Sequence, residues 1–227
     1  MNKLFIIILI LVIIIIFLLI YQKRVENFKV CDYDHLVLNK QQLKDTRELL
    51  EKFIEIADEL DIKYFAVGGT LIGTIRNGGL IPFDDDVDLG ILINDVPKIH
   101  KYESDEYYFG VCSFGYKFKK KDCEMFIDIF VFEKDEHEYK IINDLWPGEA
   151  ITSYELHPVK KKYFGDIKIN VPNNSKKYLD RAFKDWDKKL RIDCGHYSDE
   201  CTYKKYGLEK ELPINYDDSK FMCYTNL

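Results

Sequence analysis

The stretch that decides the fold is Val67–Leu89, which reads VGGTLIGTIRNGGLIPFDDDVDL. It begins with a Gly-Gly pair, continues with a short predicted helix and ends in a cluster of carboxylates. These acids are Asp84, Asp85, Asp86 and Asp88. Because like charges this close together repel and raise one another's pKa, a divalent cation or full solvation has to offset them.

The residues on either side of the acids favour a metal site. Ile81–Phe83 precedes them as an apolar segment, and Leu89–Ile93 follows as an apolar, strand-like run. Side chains alternate between the two faces of a strand, so Asp84, Asp86 and Asp88 are predicted to share one face. Three carboxylates on one face form a hard oxygen site suited to Mg²⁺ or Mn²⁺, which also bind substrate phosphates. A calcium site and a solvated turn are the alternatives.

The amino terminus predicts a membrane anchor. Leu4–Ile20 is an unbroken apolar run flanked by basic residues, at the short end of the roughly 17–25 residues that span a bilayer. A cleaved signal peptide is the alternative, but its apolar core is usually shorter and a small-residue cleavage site follows it. Residues 1–24 are therefore predicted to be a transmembrane signal anchor, and residues 25–39 a linker.

The rest of the chain suits one domain, over residues 40–227. It is rich in aromatic residues, since the 227-residue chain has 16 Tyr and 15 Phe, so it can bury a core. The net charge of −6 gives no electrostatic footprint for nucleic acid. The six cysteines allow either disulfides in an oxidising compartment or buried thiols.

The spacing of apolar residues predicts the main elements. An amphipathic helix over Lys40–Leu60 precedes a short strand over Tyr64–Val67, and Thr70 is predicted to be the N-cap of a helix over Leu71–Arg76. The triplet Asn77–Gly79 ends that helix. Further predicted elements are an acidic strand within Leu80–Ile93, a short helix over Asp95–Tyr102, paired strands over Tyr107–Phe118, a strand over Cys123–Phe132, a hairpin over Tyr163–Val171 and a helix from Lys176 to about Leu190.

Together these elements form a recognisable phosphate-handling design. A strand ending in Gly-Gly, followed by a helix N-terminus, can hold a phosphate. An Asp-x-Asp strand and a third strand carrying Asp128 supply carboxylates, and metal ions held this way stabilise in-line displacement at phosphorus.

The pattern hydrophobic-Gly-Gly and then Asp-hydrophobic-Asp is similar to the nucleotidyltransferase-fold superfamily. The string GGTLIGTIRNGGLIPFDDDVDLGI closely resembles the LicD family, which includes bacterial phosphocholine transferases and the fukutin and fukutin-related proteins of the animal Golgi. Segments 125–135 and 157–179 also resemble that family, so the resemblance covers about Lys40 to Leu190. The chain departs from the family pattern at Phe83, where Trp is frequent, and at Arg181-Ala182-Phe183, near where a Tyr-Gly pair is usual.

The resemblance implies an α/β (α+β) fold with a mixed, mainly antiparallel sheet flanked by helices and a C-terminal helical extension. It implies catalytic roles for Asp86, Asp88 and Asp128, with Asp128 binding metal or accepting a proton. Asp85 is expected to be structural or solvated. The implied metal ligands are Asp84, Asp86, Asp88 and Asp128, and the implied donor-phosphate residues are Gly68, Gly69, Thr70 and Arg76.

The sequence leaves the roles of three basic side chains open. Arg76 pairs with a phosphate or is a solvated cation at a helix end. Lys117 and Lys119 share a strand face and are candidates for gripping phosphate, or they belong to a solvated face.

The expected function is that of a membrane-anchored, Mg²⁺-dependent transferase. It moves phosphocholine or a phospho-alditol from a CDP-linked donor to a hydroxyl of a glycan acceptor. The alternatives are a nucleotidyltransferase acting on a small molecule and a non-catalytic domain that binds glycan or scaffolds other enzymes. The charges flanking the anchor favour a cytoplasmic domain by about one charge, whereas the resemblance implies a lumenal, ER/Golgi-type domain, which is the location expected here.

Overall fold

The structure is a computed structural model that describes residues 38–81, 84–192 and 210–213. The predicted anchor and most of the predicted linker lie outside these residues. Within the described ranges, no helix is both long enough and apolar enough to cross a bilayer.

The first helix, α1 (Lys40–Glu59), confirms the predicted amphipathic helix. It begins at Asn39, whose side chain accepts hydrogen bonds from the backbone of Gln41 and Gln42, while the Gln42 side chain accepts one from the Asn39 N–H. This capping box satisfies N–H groups that the first helical turn leaves without partners. The apolar stripe of α1, which includes the fully buried Phe53, packs against the central sheet.

A seven-stranded sheet forms the centre of the protein. Its strands are β1 (Tyr64–Ala66), β2 (Val87–Leu92), β3 (Tyr107–Cys112), β4 (Gly115–Lys120), β5 (Phe126–Asp135), β6 (Glu138–Ile141) and β7 (Ile151–Thr152). The order is β1-β2-β5-β4-β3, and β6 pairs with β5 and β7. Strands β2 and β5 run parallel, whereas the other pairs in this sheet are antiparallel. The predicted mixed, mainly antiparallel sheet is therefore confirmed.

Alternation along β2 and β5 divides the sheet into two unlike faces. Val87 and Leu89 of β2 are paired with Ile127 and Ile129 of β5, and all four are fully buried. Phe118 of β4 is the partner of Ile127, and its ring centroid lies 5.8 Å from that of Phe53 in α1. This face is thus the apolar core under α1. The intervening residues point to the opposite face, which carries the carboxylates.

Short helical segments connect the strands. Between β1 and β2 lie α2 (Gly68–Ile72) and a π-helical turn, Gly73–Asn77, which Gly78 ends at φ +77°. Further short segments are a 3₁₀ turn at Ile93–Asp95, helix α3 (Val96–Ile99), 3₁₀ turns at Ile142–Asp144 and Pro147–Glu149, and helix α4 (Ser153–Leu156).

The predicted hairpin is confirmed as β8 (Lys160–Phe164) and β9 (Ile167–Val171), and β9 packs beside β1. The helix that follows, α5 (Ser175–Ala182), is shorter than predicted. Phe183 is extended and Asp185 has φ +56°, which returns the chain so that the buried Trp186 donates a hydrogen bond to Asp180 at 3.0 Å.

The end of the described chain is a strand pair. The prediction of helix up to about Leu190 is wrong, because β10 (Lys189–Ile192) pairs there with β11 (Lys210–Pro213). Among the described residues, Cys112 and Cys123 are half-buried free thiols. The other four cysteines lie outside those residues.

Candidate active site

The parallel pairing of β2 with β5 brings together carboxylates that are far apart in the sequence. Asp88 and Asp128 are direct partners in this register, and Asp86 lies just before β2. One carboxylate oxygen from each of the three lies within 4.8 Å of the other two. Asp86 and Asp128 are buried, with 3% and 6% of their surface exposed. The three predicted catalytic acids therefore converge on one point.

Asp84 belongs to a second, overlapping group. One carboxylate oxygen each of Asp84, Asp85 and Asp86 lies within 4.8 Å of the others, so Asp86 is shared between the two groups. Because β2 begins at Val87, Asp84 and Asp86 lie in the loop before it, and strand alternation does not place them. Asp85, which is expected to be structural or solvated, is half-buried, and one of its carboxylate oxygens belongs to this group.

The Gly-Gly pair is needed because the acids approach its backbone closely. Gly68 has φ +49°, which favours glycine, and a Cβ at this position would lie 2.7 Å from Oδ2 of Asp88. A Cβ at Gly69 would lie 2.2 Å from Oδ2 of Asp84. The Gly69 N–H donates a 3.1 Å hydrogen bond to Asp88 Oδ2. The pair thus packs against the carboxylates, and its role in holding donor phosphate remains a prediction.

Thr70 positions Asp88 and does not cap a helix. Helix α2 begins at Gly68 with Val67 at the N-cap, so the prediction that Thr70 is the N-cap is wrong. The buried Thr70 hydroxyl accepts a 2.7 Å hydrogen bond from the Asp88 backbone N–H. This contact attaches the start of β2 to the Gly-Gly helix.

Arg76 lies at the end of the π-helical turn and contacts the C-terminal part of the domain. Its Nε donates to Asn77 Oδ1 at 2.8 Å, and NH1 donates to the carbonyl oxygens of Trp186 at 2.7 Å and Lys189 at 3.2 Å. Burial lowers the pKa of Arg76 to about 10, while the charge of Asp84 opposes that shift. The predicted pairing of Arg76 with phosphate remains a prediction, since most of these donors already bind protein.

Lys117 forms an ion pair with the third carboxylate. It is the partner of Asp128 across β4 and β5, and its Nζ lies 2.7 Å from Asp128 Oδ1. The same Nζ lies 3.7 Å from the centroid of the Phe126 ring. The sequence marked Lys117 and Lys119 as strand-face candidates, but the pairing with Asp128 follows from the strand register.

The charges around Asp88 are those of a site that favours a cation. Burial raises the pKa of Asp88 well above its usual range, and the negative charges of Asp86, Asp84, Asp128 and Glu149 raise it further. The negative charge of each of these groups therefore makes loss of the Asp88 proton less favourable when no cation is bound.

Glu149 is the acid that sequence reasoning missed. It ends the 3₁₀ turn Pro147–Glu149, and burial raises its pKa to about 7. In the sequence, the Pro147-Gly148 pair predicts only a turn, and no spacing links Glu149 to the acids of β2 and β5. Only the tertiary structure brings its charge close to Asp88.

The donor set fits a hard divalent cation such as Mg²⁺ or Mn²⁺. Asp86, Asp88 and Asp128 supply three carboxylate oxygens at one point, and hard cations take oxygen ligands. A bound cation would also offset the repulsion that raises the pKa of Asp88. These three residues would hold the ion, with Asp84 in the adjoining group.

Comparison with known proteins agrees with this geometry. The family described as LicD/FKTN/FKRP, nucleotidyltransferase domain, matches residues 61–174. That match contains β1, the Gly-Gly pair, the acidic loop, β2, β5 and the hairpin, which are the elements that build the site.

Named relatives cover much of the same region. An uncharacterised protein of Rickettsia typhi is 34% identical over 73% of this chain and 51% of its own length. The human ribitol 5-phosphate transferase FKRP is 25% identical over 62% of this chain and 31% of its own. The lipopolysaccharide cholinephosphotransferase LicD of Haemophilus influenzae is 29% identical over 56% of each chain. This chain spans about half the length of the Rickettsia protein. From the matched domain and its site, the chain belongs to the LicD/FKTN/FKRP family.

Proposed function

We propose that this protein is a metal-dependent transferase that moves a phospho-alcohol from a CDP-linked donor to a hydroxyl of a glycoconjugate. The observation that carries the proposal is the convergence of Asp86, Asp88 and Asp128 within 4.8 Å. Relatives named as ribitol-phosphate transferases and as a lipopolysaccharide cholinephosphotransferase support this reaction class.

The reaction makes one bond and breaks one. An acceptor hydroxyl oxygen attacks the phosphorus that bears the alcohol, the bond from that phosphorus to the bridging oxygen breaks, and CMP leaves. The hydroxyl proton passes to a carboxylate, for which Asp128 is the candidate because it is one of the three converging acids. Mg²⁺ or Mn²⁺, when bound, supplies charge neutralisation at the phosphates.

Other residues of the site bind the cation, the donor phosphates and the transferred group. Asp86, Asp88 and Asp128 hold the cation, with Asp84 in the adjoining group. The Gly68–Gly69 backbone and Thr70 border the donor phosphates, because they lie directly against Asp84 and Asp88. Lys117 stays close to the transferred group as a positive charge, since its ammonium is already within hydrogen-bond distance of Asp128.

The test is release of CMP by the full-length chain in detergent. The protein is incubated with Mg²⁺, a glycan mixture and, in turn, CDP-choline, CDP-ribitol and CDP-glycerol. We expect metal-dependent CMP release that falls at least about 10³-fold in Asp86→Asn, because transition-state charge stabilisation is lost. Asp122→Asn is the matched control, since Asp122 is exposed and its φ of +57° suits Asn.

Two results would contradict the proposal. Pyrophosphate released from a nucleoside triphosphate, with no CMP from any donor, would instead indicate nucleotidyl transfer. Absence of both products, together with no binding of Mg²⁺ or Mn²⁺ in a calorimetric titration, would indicate a non-catalytic domain.

Placement in a membrane is a separate part of the proposal. We propose that Leu4–Ile20 anchors the protein and that the domain from residue 40 onward is lumenal. The support is the apolar run itself and the membrane-compartment location that the family resemblance implies. Protease treatment of sealed membrane vesicles tests it: a C-terminal tag should be protected until detergent is added, and digestion without detergent would place the domain on the outer, cytoplasmic side.

A further inference from the structure

A cleft of about 630 Å³ lies at the open edge of the central sheet. Its walls come from β3, which is the outermost strand on this side, from residues 99–105 and from Tyr116 of β4. Ser104 fixes the wall before β3, because its hydroxyl accepts 3.1 Å hydrogen bonds from the backbone N–H groups of Glu106 and Tyr107. Pockets that bind small molecules have volumes of roughly 300–1,000 Å³. This space, called the edge cleft below, is therefore large enough for a ligand.

The lining of the edge cleft combines aromatic rings with groups that form hydrogen bonds. The Tyr116 hydroxyl lies 2.7 Å from Nε2 of His100, and both residues line the cleft. Glu103 and Asp105 are exposed on its rim. In the described parts of the chain neither of these two carboxylates forms an ion pair, and no Lys or Arg lines the cleft. The edge cleft therefore offers acceptors for hydroxyl groups, and its charge disfavours an anionic ligand.

Tyr108 gives the edge cleft an uncovered aromatic ring. Its side chain is 45% exposed, and among the described residues no other ring and no cationic side chain packs over it. Tyr102 and Phe109, in contrast, contact each other with ring centroids 5.7 Å apart. A sugar ring has a face of C–H groups that packs on an aromatic ring and hydroxyl groups that bind carboxylates. The edge cleft thus has the combination of groups that a saccharide requires.

Tyr108 also lies on the face of the sheet that carries the carboxylates. Asp128 is paired with Lys117 of β4, and Lys117 is paired with Gly110 of β3. Gly110 is therefore two strands, or about 10 Å, from Asp128. Tyr108 precedes Gly110 by two residues and points to the same face, where its ring lies 3.9 Å from the position of a Cβ on Gly110. Because Gly110 has no side chain, the surface between Tyr108 and Lys117 is open.

The proposed reaction brings the acceptor over this surface. The donor phosphates are proposed to border Gly68–Thr70, which contacts the start of β2. In an in-line displacement the attacking oxygen enters opposite the leaving group. The acceptor hydroxyl then approaches from the other side of the acids, over β4 and β3, and the edge cleft lies on that side.

We propose that the edge cleft binds an uncharged or amino sugar unit of the acceptor saccharide, at a distance from the reacting hydroxyl. The assignment of this sugar to the acceptor rests on the proposed function. Tyr108 packs on the sugar ring, and Glu103 and Asp105 accept hydrogen bonds from its hydroxyl groups. The separation of about 10 Å between β3 and Asp128 exceeds the length of one sugar ring. A single sugar therefore does not reach both places, and longer saccharides bind more tightly.

The binding test uses an array of immobilised saccharides, from single sugars to oligosaccharides, with neutral, amino and acidic members. The full-length protein is applied in detergent with Mg²⁺. We expect it to bind neutral or amino oligosaccharides and to bind single sugars at least about tenfold more weakly. Tyr108→Ala should weaken oligosaccharide binding about tenfold, because one ring-stacking contact is lost. Tyr108→Phe should retain the binding, since the ring remains.

The matched control is Tyr163→Ala, which removes a ring that is 58% exposed on β8, outside the edge cleft, and should leave binding unchanged. Glu103→Ala on the exposed rim should weaken binding several-fold, and it provides the answer if Tyr108→Ala does not fold. Absence of any bound saccharide would overturn the inference. So would binding of acidic saccharides alone, or binding by Tyr108→Ala as tight as that of the wild type.

Turnover with an oligosaccharide that the array identifies separates this inference from the proposed function. Tyr108→Ala should raise the KM for that acceptor about tenfold and leave kcat and the KM for the donor unchanged. CMP release with an unchanged acceptor KM would keep the transferase and overturn the role of the edge cleft. Absence of CMP from every donor, with saccharide still bound through Tyr108, would overturn the transferase and keep the saccharide site.

Discussion

Two groups of carboxylates in this protein have opposite electrostatic surroundings. At the sheet, Asp88 is surrounded by other acids, and its pKa is raised by burial and by the charges of Asp86 and its neighbours. Between α4 and α5, Glu155 is only 1% exposed and has a cation of its own. Arg181 donates to Glu155 through Nε at 3.2 Å and NH2 at 2.8 Å.

The Glu155 group is complete without any ligand. Thr152 and Glu155 form a capping box, in which the Thr152 N–H donates to Glu155 Oε2 at 3.0 Å. Burial acts to raise the pKa of Glu155, but the hydrogen bonds from Arg181 and Thr152 outweigh burial and lower it. Its charge is therefore favourable to folding, as expected for a paired buried carboxylate.

This difference distinguishes a structural carboxylate from one kept for a ligand. The fold supplies Glu155 with donors and a counter-charge, whereas it packs Asp88 among like charges. Repulsion among the acids around Asp88 lowers the stability of the folded protein until a cation binds. The comparison thus supports the metal site independently of the family match, and the following predictions test it in order of expected effect.

The largest effect is expected at the structural pair. Arg181→Ala should lower the free energy of unfolding by about 3 kcal/mol, because it leaves a buried carboxylate without its counter-charge. Denaturant unfolding measures this value. Glu155→Gln in the same background should recover part of the loss. Lys176→Ala on the same helix removes a solvent-exposed ion pair with Asp180 and should cost less than about 1 kcal/mol. A loss no larger than that of Lys176→Ala would contradict the structural role.

The next effect is expected at the Gly-Gly pair. Gly68→Ala should destabilise the protein by about 2 kcal/mol, since φ +49° strains an L side chain and the new Cβ would meet Asp88 Oδ2. Gly148→Ala, whose Cβ would meet nothing within 4 Å, is the control. Thermal unfolding compares them, and equal midpoints would show that the close approach of Asp88 is unimportant.

Asp88→Asn should have the opposite sign in the absence of metal. It removes one of several repelling charges, so the metal-free protein should gain about 1–2 kcal/mol. With Mg²⁺ the order should reverse, because binding to the native state stabilises only the protein that retains its ligands. Unfolding with EDTA and with Mg²⁺ measures both. If metal-free Asp88→Asn were less stable than the metal-free wild type, the proposed contrast between Asp88 and Glu155 would be wrong.

The smallest effect is expected at Glu149 and depends on pH. Its pKa is raised from 4.5 to about 7, so the folded protein keeps a proton that the unfolded chain releases. Stability from this group is therefore complete below about pH 4 and is lost as pH rises through 7. Glu149→Gln should raise the free energy of unfolding by about 1 kcal/mol at pH 8. The gain should vanish at pH 4, and a gain independent of pH would exclude burial of a charge as its cause.

Local patterns predicted much of the fold. The apolar stripe over Lys40–Leu60, the hairpin around Gly165 and the strand that contains Asp128 all depend on residues close in sequence, and the structure confirms them. The prediction of a C-terminal helix is wrong beyond Ala182, because the chain turns back there and Trp186 donates a hydrogen bond to Asp180. Contacts of that kind leave no periodic signal in the sequence.

The sequence by itself determined that the Gly-Gly pair and the acids of 84–88 form one unit, and which family the chain belongs to. It also placed Asp128 in a strand. Only the tertiary structure decided that β2 and β5 pair in parallel with Asp88 opposite Asp128. It also decided that Lys117 is the partner of Asp128 and that the charge of Glu149 acts on Asp88. Near neighbours set a helix or a strand, whereas the register between distant strands is set by burial of their apolar face, which places the polar residues in between.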